Sequence, residues 1–285
     1  MVIKVVAVIG GGVIGADLAL NICCFNYKVI LKDLNQDLLL KAKERIKKNI
    51  KFLRLMKKDF PPGSSDELLS KINFVTDYRD FGKVDLVIEN IPEVFEEKVH
   101  VYQELRDVCR NDVVFGVNSS CIPISRIAGF MLKPDNVIGI HFLNPVPLTK
   151  IVEVIKGSFT SNETLETIQS FLNSIDKTYV VVNDSPGFVT NRVLMLTINE
   201  CIWVLQEGIA SAKDIDKIFT MGFGHKMGPL ATADLIGLDT VLNSLIVLYE
   251  NFKDSKFRPC PLLKKMVDTK MLGKKTGKGF FEYQA

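Results

Sequence analysis

The chain has 285 residues, 47% of them hydrophobic and 24% charged, and a formal charge of +3 from 36 Lys/Arg and 33 Asp/Glu. That length exceeds one comfortable core and points to two domains. The near-balance of charge argues against a nucleic-acid or membrane-surface partner.

The first strand, Val5–Ile9, runs directly into a glycine-rich turn, Gly10-Gly-Gly-Val-Ile-Gly15, and then a helix. An apolar N-terminal run that is already a strand leaves no room for a signal peptide, so a cytoplasmic location is expected. Gly10, Gly12 and Gly15 have the G-x-G-x-x-G spacing. The first allows the tight turn, the second lets a pyrophosphate approach the backbone, and the third lets helix and strand pack closely. The amides of the first helical turn, around Val13 and Ile14, then face the phosphates at the positive end of the helix dipole. A second strand, Lys28–Leu31, leads to Asp33, which follows Gly15 by 18 residues. A carboxylate there accepts hydrogen bonds from ribose hydroxyls and repels a 2′-phosphate, so the expected cofactor is NAD, with Lys32 slightly weakening that preference.

Leu38–Leu55 reads as a long charged amphipathic helix, Asp59-Phe-Pro-Pro-Gly63 as a turn, and a second helix begins near Asp66. The pair makes a helical hairpin beyond the second strand, with lysines clustered from Lys41 to Lys58. Further strands are expected at Leu86–Glu89, Val113–Asn118, Val137–Ile140 and Tyr179–Val182, with helical patterns between several of them. Such alternation gives βαβ units and a largely parallel sheet. It stops at Asp184-Ser-Pro-Gly187. Helical periodicity follows over Asn191–Gln206, Ala212–Thr220 and Leu235–Phe252. The apolar run Val193–Leu205 contains Asn199 and Glu200 and is too short to span a bilayer. The fold class is therefore α/β: a doubly wound Rossmann-type N-terminal domain (1–185) with an inserted helical hairpin, followed by an all-α C-terminal domain (186–285).

In a doubly wound domain, ligands meet the carboxyl ends of the strands. Glu89, Glu93 and Lys98 follow one strand, Asn118-Ser119-Ser120 another. His141 ends a third, in His141-Phe-Leu-Asn-Pro-Val-Pro147, and Glu153 lies 12 residues further on. Histidine is the natural proton acceptor near neutral pH, and a carboxylate on its other ring nitrogen would fix its tautomer. On spacing alone, a core histidine beside a surface glutamate is the stronger reading. His100 falls in a charged helix, on a solvated face, and His225 in a glycine-flanked loop. The six cysteines show no Cys-x-x-Cys spacing, as expected of reduced thiols, and no metal site is expected.

These blocks, together with Asp184-Ser-Pro-Gly-Phe-Val-Thr-Asn-Arg192, Met227-Gly-Pro229 to Asp239 and Gly273-Lys-Lys-Thr-Gly-Lys-Gly-Phe280, resemble the 3-hydroxyacyl-CoA dehydrogenase family over the whole chain. The resemblance implies His141 as general base and Glu153 as its orienting partner. It places Ser120 and Asn191 on the substrate oxygen, and Glu93, Lys98, Asn118 and Asn144 around the nicotinamide half of NAD. It also implies a helical domain that completes the substrate site and forms a homodimer, with Leu194, Leu196, Ile198, Ile202, Val204 and Leu205 burying much of one helix.

Two departures bear on the substrate. Positions that in coenzyme A binders present Ser and Lys on the hairpin fall on Asn49 and Met56. Three local stretches, Ser120–Ile127, Phe223–Pro229 and Phe257–Leu263, resemble dehydrogenases acting on glyceryl- or seryl-like groups carried by an acyl-carrier protein for polyketide extender units. The local matches favour that branch, and 3-hydroxybutyryl-CoA is the alternative. A non-catalytic NAD-binding protein, and a dehydrogenase of free hydroxy acids using Arg126 or Arg192 as a carboxylate clamp, are the competing classes.

Overall fold

The computed structural model describes residues 2–56, 60–61 and 63–283. The chain forms two compact units, Met1–Asp184 and Ser185–Ala285. Strands of the first unit are β1 (Val5–Ile9), β2 (Lys28–Lys32), β3 (Ile72–Val75), β4 (Leu86–Glu89), β5 (Val114–Val117), β6 (Val137–Phe142), β7 (Ile151–Lys156) and β8 (Thr178–Asn183). Its helices are α1 (Val13–Cys23), α2 (Gln36–Met56), α3 (Ser65–Ser70), α4 (Phe95–Val108), α5 (Ile124–Ala128) and α6 (Asn162–Ser174). The sheet order is β3-β2-β1-β4-β5-β6-β7-β8. Every neighbouring pair is parallel except β6–β7, which is antiparallel. Strand order reverses at β1, which lies between β2 and β4, and the crevice outside their carboxyl ends is where such sheets bind ligands.

The central strands are continuous apolar runs because both sheet faces are covered. β4 and β5 are buried at every position. One core cluster joins Leu18, Leu20 and Ile22 of α1 to Ile138 and Ile140 of β6 and Phe171 and Leu172 of α6. The 21-residue α2 buries Leu39, Ala42, Ile46, Ile50 and Leu53, a helical stripe that packs against α1. Burying each of its Leu and Ile side chains is worth about 1.5–3 kcal/mol.

Two strands lie where the sequence pattern shows none. β3 is an edge strand of four residues, buried only at Ile72. In β7, Glu153 interrupts the apolar run, because its carboxylate has a partner across the ladder. The second hairpin helix is only six residues long; Ser64 and Glu67 form a reciprocal capping box at its start. Asp59 and Pro62 of the expected turn, with Lys57 and Lys58, lie outside the described residues.

The second unit contains α7 (Thr190–Gln206), α8 (Ala212–Lys217), α9 (Pro229–Ile236), α10 (Leu238–Phe252) and α11 (Pro261–Asp268). The single helix expected over Leu235–Phe252 is two helices bent by 98°. Gly237, at φ +102°, makes the corner, a conformation that L side chains rarely adopt. Within α7, Ile198 and Ile202 are buried as expected, together with Met195 and Cys201, while Leu194, Leu196, Val204 and Leu205 are half-buried. Buried Asp234 clamps the C-terminal turn by accepting from the amides of Phe280 and Phe281 and the Tyr283 hydroxyl. Among the described residues no single helix is long and apolar enough to cross a membrane.

Candidate active site

The glycine turn joins β1 to α1. Gly10 has φ +89°, and a Cβ there would lie 2.8 Å from the Asn90 carbonyl oxygen. A Cβ on Gly15 would lie 1.8 Å from the Gly10 carbonyl oxygen, so helix and turn meet with no space for a side chain. At Gly12 a Cβ would meet nothing within 4 Å. The protein thus fills the space beside two of the three glycines and leaves open the space beside the one expected to face a pyrophosphate. No side chain caps α1, and its first turn contains no acidic residue; Gly12 and Val13 are exposed. An uncapped, positively polarised helix start beside an open space fits a phosphate.

Asp33 follows β2, and its Oδ2 accepts from the Gly11 amide at 2.7 Å while Oδ1 accepts from Leu34 at 2.7 Å. The carboxylate is therefore fixed at the rim of the glycine turn, half-buried, with lone pairs left for ribose hydroxyls.

His141 and Glu153 are paired residues in the β6–β7 ladder. His141 Nδ1 lies 3.1 Å from Glu153 Oε2, and both residues are 6% exposed. An ionised Glu153 requires the proton on Nδ1, which leaves Nε2 as the acceptor. Ser120 Oγ lies 3.5 Å from Nε2. Ser120, His141 and Glu153 thus form one row, built from the β5–α5 turn, β6 and β7.

Around this row the structure places the remaining expected residues. Asn118 Nδ2 donates to Asn90 Oδ1 at 2.7 Å, and its Oδ1 accepts from the Phe142 amide at 3.2 Å, tying together the ends of β4, β5 and β6. Asn144 is exposed on the β6–β7 loop. Lys98 has no exposed surface: its ammonium donates to both oxygens of fully buried Glu89, at 2.7 and 2.9 Å. It is a strut of the β4–α4 connection, with Glu93 Oε2 3.7 Å away as its second carboxylate neighbour. Burial pushes the Glu89 carboxyl up, and the Lys98 ammonium pulls it back. Asn191 is buried in the first turn of α7, in the second unit. Asn49 donates to buried Asp17 at 2.6 Å, beside Arg45 on the same carboxylate, and Met56 is exposed.

The sequence marks Asp184 only as the start of a motif, with no role of its own, and gives no signal for Asn90. Asp184 accepts from the amides of Ile124 and Ser125 and from the Ser125 hydroxyl, fixing the start of α5 just after the Ser120 turn. Both act on groups far away in sequence, so only their recurrence beside other site residues could have signalled them.

Residues 5–185 match the NAD-binding domain of 3-hydroxyacyl-CoA dehydrogenase, and residues 187–283 match its C-terminal domain. The chain belongs to the 3-hydroxyacyl-CoA dehydrogenase family. This dehydrogenase is 40% identical over 277 residues to 3-hydroxybutyryl-CoA dehydrogenase of Clostridioides difficile, covering 97% of this chain and 98% of that one. Among solved structures it is similar to (S)-3-hydroxybutyryl-CoA dehydrogenase PaaH1 from Ralstonia eutropha (TM-score 0.92, 34% identity, all of both chains covered). It is also similar to FadB2 of M. tuberculosis (TM-score 0.95, 32% identity, all of both chains covered). The enzyme is an NAD-dependent oxidoreductase of the 3-hydroxyacyl-CoA dehydrogenase type.

Proposed function

We propose that this dehydrogenase oxidises the 3-hydroxyl of a short 3-hydroxyacyl-CoA, 3-hydroxybutyryl-CoA first among them, with His141 as the base. The observation that carries this reading is the row Ser120 Oγ, His141 and Glu153, at 3.5 and 3.1 Å. Bound NAD supplies the hydride acceptor. His141 Nε2 takes the proton of the C3 hydroxyl, and Glu153 stabilises the imidazolium through Nδ1–H. The Ser120 hydroxyl would donate to the C3 oxygen, and the family resemblance gives Asn191 the same role. Such donors matter most in the reverse direction, when negative charge develops on that oxygen. Gly12 and the amides of Val13 and Ile14 would receive the pyrophosphate, with Gly10 and Gly15 holding the turn closed; Asp33 would hold a ribose, and Asn118 and Asn144 would stand by the nicotinamide half.

The carrier-protein branch rests on local matches and on the exposed face of α2, where Lys41, Lys48 and Lys51 stand beside Phe52 and Leu55. Relatives matched along the whole chain are named for CoA thioesters, and that supports the CoA reading over the glyceryl or seryl one. Against a free hydroxy acid, both arginine candidates are stacked on rings: Arg126 over Phe95 at 3.8 Å and Arg192 over Phe252 at 4.5 Å. The helical domain (186–285) is assigned a dimer contact. Its exposed Ile218, Met221 and Phe223 support an apolar interface, which sedimentation equilibrium tests directly.

The deciding assay compares NADH oxidation by acetoacetyl-CoA with NAD reduction by glyceryl and seryl groups on an acyl-carrier protein. Turnover of acetoacetyl-CoA alone is the expected result; turnover of the carrier-bound groups alone would overturn the CoA reading.

A further inference from the structure

Glu93 is drawn to the nicotinamide by family resemblance, yet one of its oxygens is fully engaged inside the protein. Glu93 Oε1 accepts from the Ser119 hydroxyl at 2.5 Å and from three successive amides, Ser120 at 2.9, Cys121 at 2.7 and Ile122 at 3.0 Å. Three consecutive N–H groups converging on one point form an anion-binding concavity, of the kind that elsewhere holds a phosphate. Here the anion is the chain's own carboxylate. Cys121 and Ile122 are at most 4% exposed, and the Ile122 amide is shared with Ser119 Oγ at 2.9 Å, so Glu93 and Ser119 together satisfy buried backbone donors that are costly to leave unmatched.

The turn so held carries Ser120, whose Oγ faces His141 Nε2 at 3.5 Å. Its opposite anchor is also charged. Glu93 Oε2 lies 3.7 Å from Lys98 Nζ, which is itself fixed on Glu89. A line of alternating charge therefore runs from the buried Glu89 through Lys98 and Glu93 into the amides of the Ser120 turn.

We propose that Glu93 is a positioning residue that acts through Ser120: its Oε1 sets the 119–122 turn so that the Ser120 hydroxyl meets the substrate's C3 oxygen beside His141. This rests on the role given to Ser120 above and deepens it. A change at Glu93 then alters turnover chiefly by displacing Ser120, so its effect vanishes where that hydroxyl is already missing.

The test is a double-mutant cycle on the full-length enzyme with Glu93→Gln, Ser120→Ala and the pair, reading kcat, KM for NAD and the melting temperature. Glu93→Gln is expected to lower kcat about 10- to 100-fold, short of the roughly 100- to 1000-fold that removing an aligned donor outright costs, with KM for NAD within about 3-fold. On the Ser120→Ala background the same substitution is expected to change kcat less than about 3-fold. Equal losses on both backgrounds, or a rise confined to KM for NAD, would overturn the proposal while leaving the Ser120 role intact. A Ser120→Ala enzyme with full turnover would instead remove Ser120 from the chemistry. Should Glu93→Gln fail to fold, Ser119→Ala removes one of the four donors and keeps the carboxylate. A smaller kcat loss that disappears with Ser120→Ala supports the proposal, and equal losses on both backgrounds overturn it.

Discussion

His141 and Glu153 face each other across two antiparallel strands, with Nδ1 and Oε2 3.1 Å apart and both residues nearly sealed from water. The carboxylate therefore meets the ring at full strength, unscreened by solvent. His141→Ala is expected to keep NAD binding while kcat falls at least about 100-fold, the usual scale of general acid–base loss. Glu153→Gln, which keeps the shape and removes the charge, should fall in the same direction with the fold intact. Stopped-flow turnover beside NAD titration separates the two steps, and near-normal turnover of His141→Ala would remove it from the reaction.

The three motif glycines should fail in different ways. A methyl on Gly12 meets no protein atom within 4 Å, so Gly12→Ala is expected to keep the parent stability within about 0.5 kcal/mol. Its NAD affinity should fall at least about 10-fold, or about 1.4 kcal/mol. Gly15→Ala places a methyl 1.8 Å from a backbone oxygen and should lose about 1–3 kcal/mol of stability through overpacking. Chemical denaturation and calorimetric NAD titration of both variants distinguish these outcomes.

Lys98 and Glu89 have no exposed surface, and each compensates the other's buried charge. Lys98→Met leaves Glu89 unpaired and should cost about 3–5 kcal/mol, whereas replacing both partners by apolar residues of similar size should recover much of that loss. A double substitution as unstable as the single one would contradict this account.

Burial alone would raise the Asp85 carboxyl, but the amides of Val5 and Lys4 and the Arg110 guanidinium outweigh it, holding the group below its ordinary value of 3.8. A carboxyl depressed in the folded state contributes stability above its unfolded value, and that contribution is lost as pH falls through the folded one. Asp85→Asn should therefore lower the melting temperature at neutral pH. The gap between variant and parent should close in acid, below 3.8. A gap independent of pH would show that the charge is not what matters.

Much of this was legible in the chain because a few signals concern backbone directly. Gly10, Gly12 and Gly15 dictate a turn whatever surrounds them, and Asp33 is placed by the length of one βα unit. The helix break at Gly237 was hidden because apolar periodicity continues from Leu235 into α10, and one glycine inside it reads as tolerated. β7 was hidden for a functional reason, since Glu153 interrupts the apolar pattern that marks a strand. Lys98 illustrates the limit of resemblance. The resemblance names Lys98, but its burial against Glu89 depends on side-chain packing that no spacing encodes.

The pairing of His141 with Glu153 is a property of the ladder, and the interval of 12 residues between them is incidental. The segment from Leu143 to Lys150 lies outside the paired strands, so residues added or removed there shift numbering without separating acid from base. Slipping either strand by a single position would turn one partner to the opposite face of the sheet. Proton transfer is thereby uncoupled from the length of this loop, whose own residue Asn144 answers to the cofactor and not to the His141–Glu153 pair.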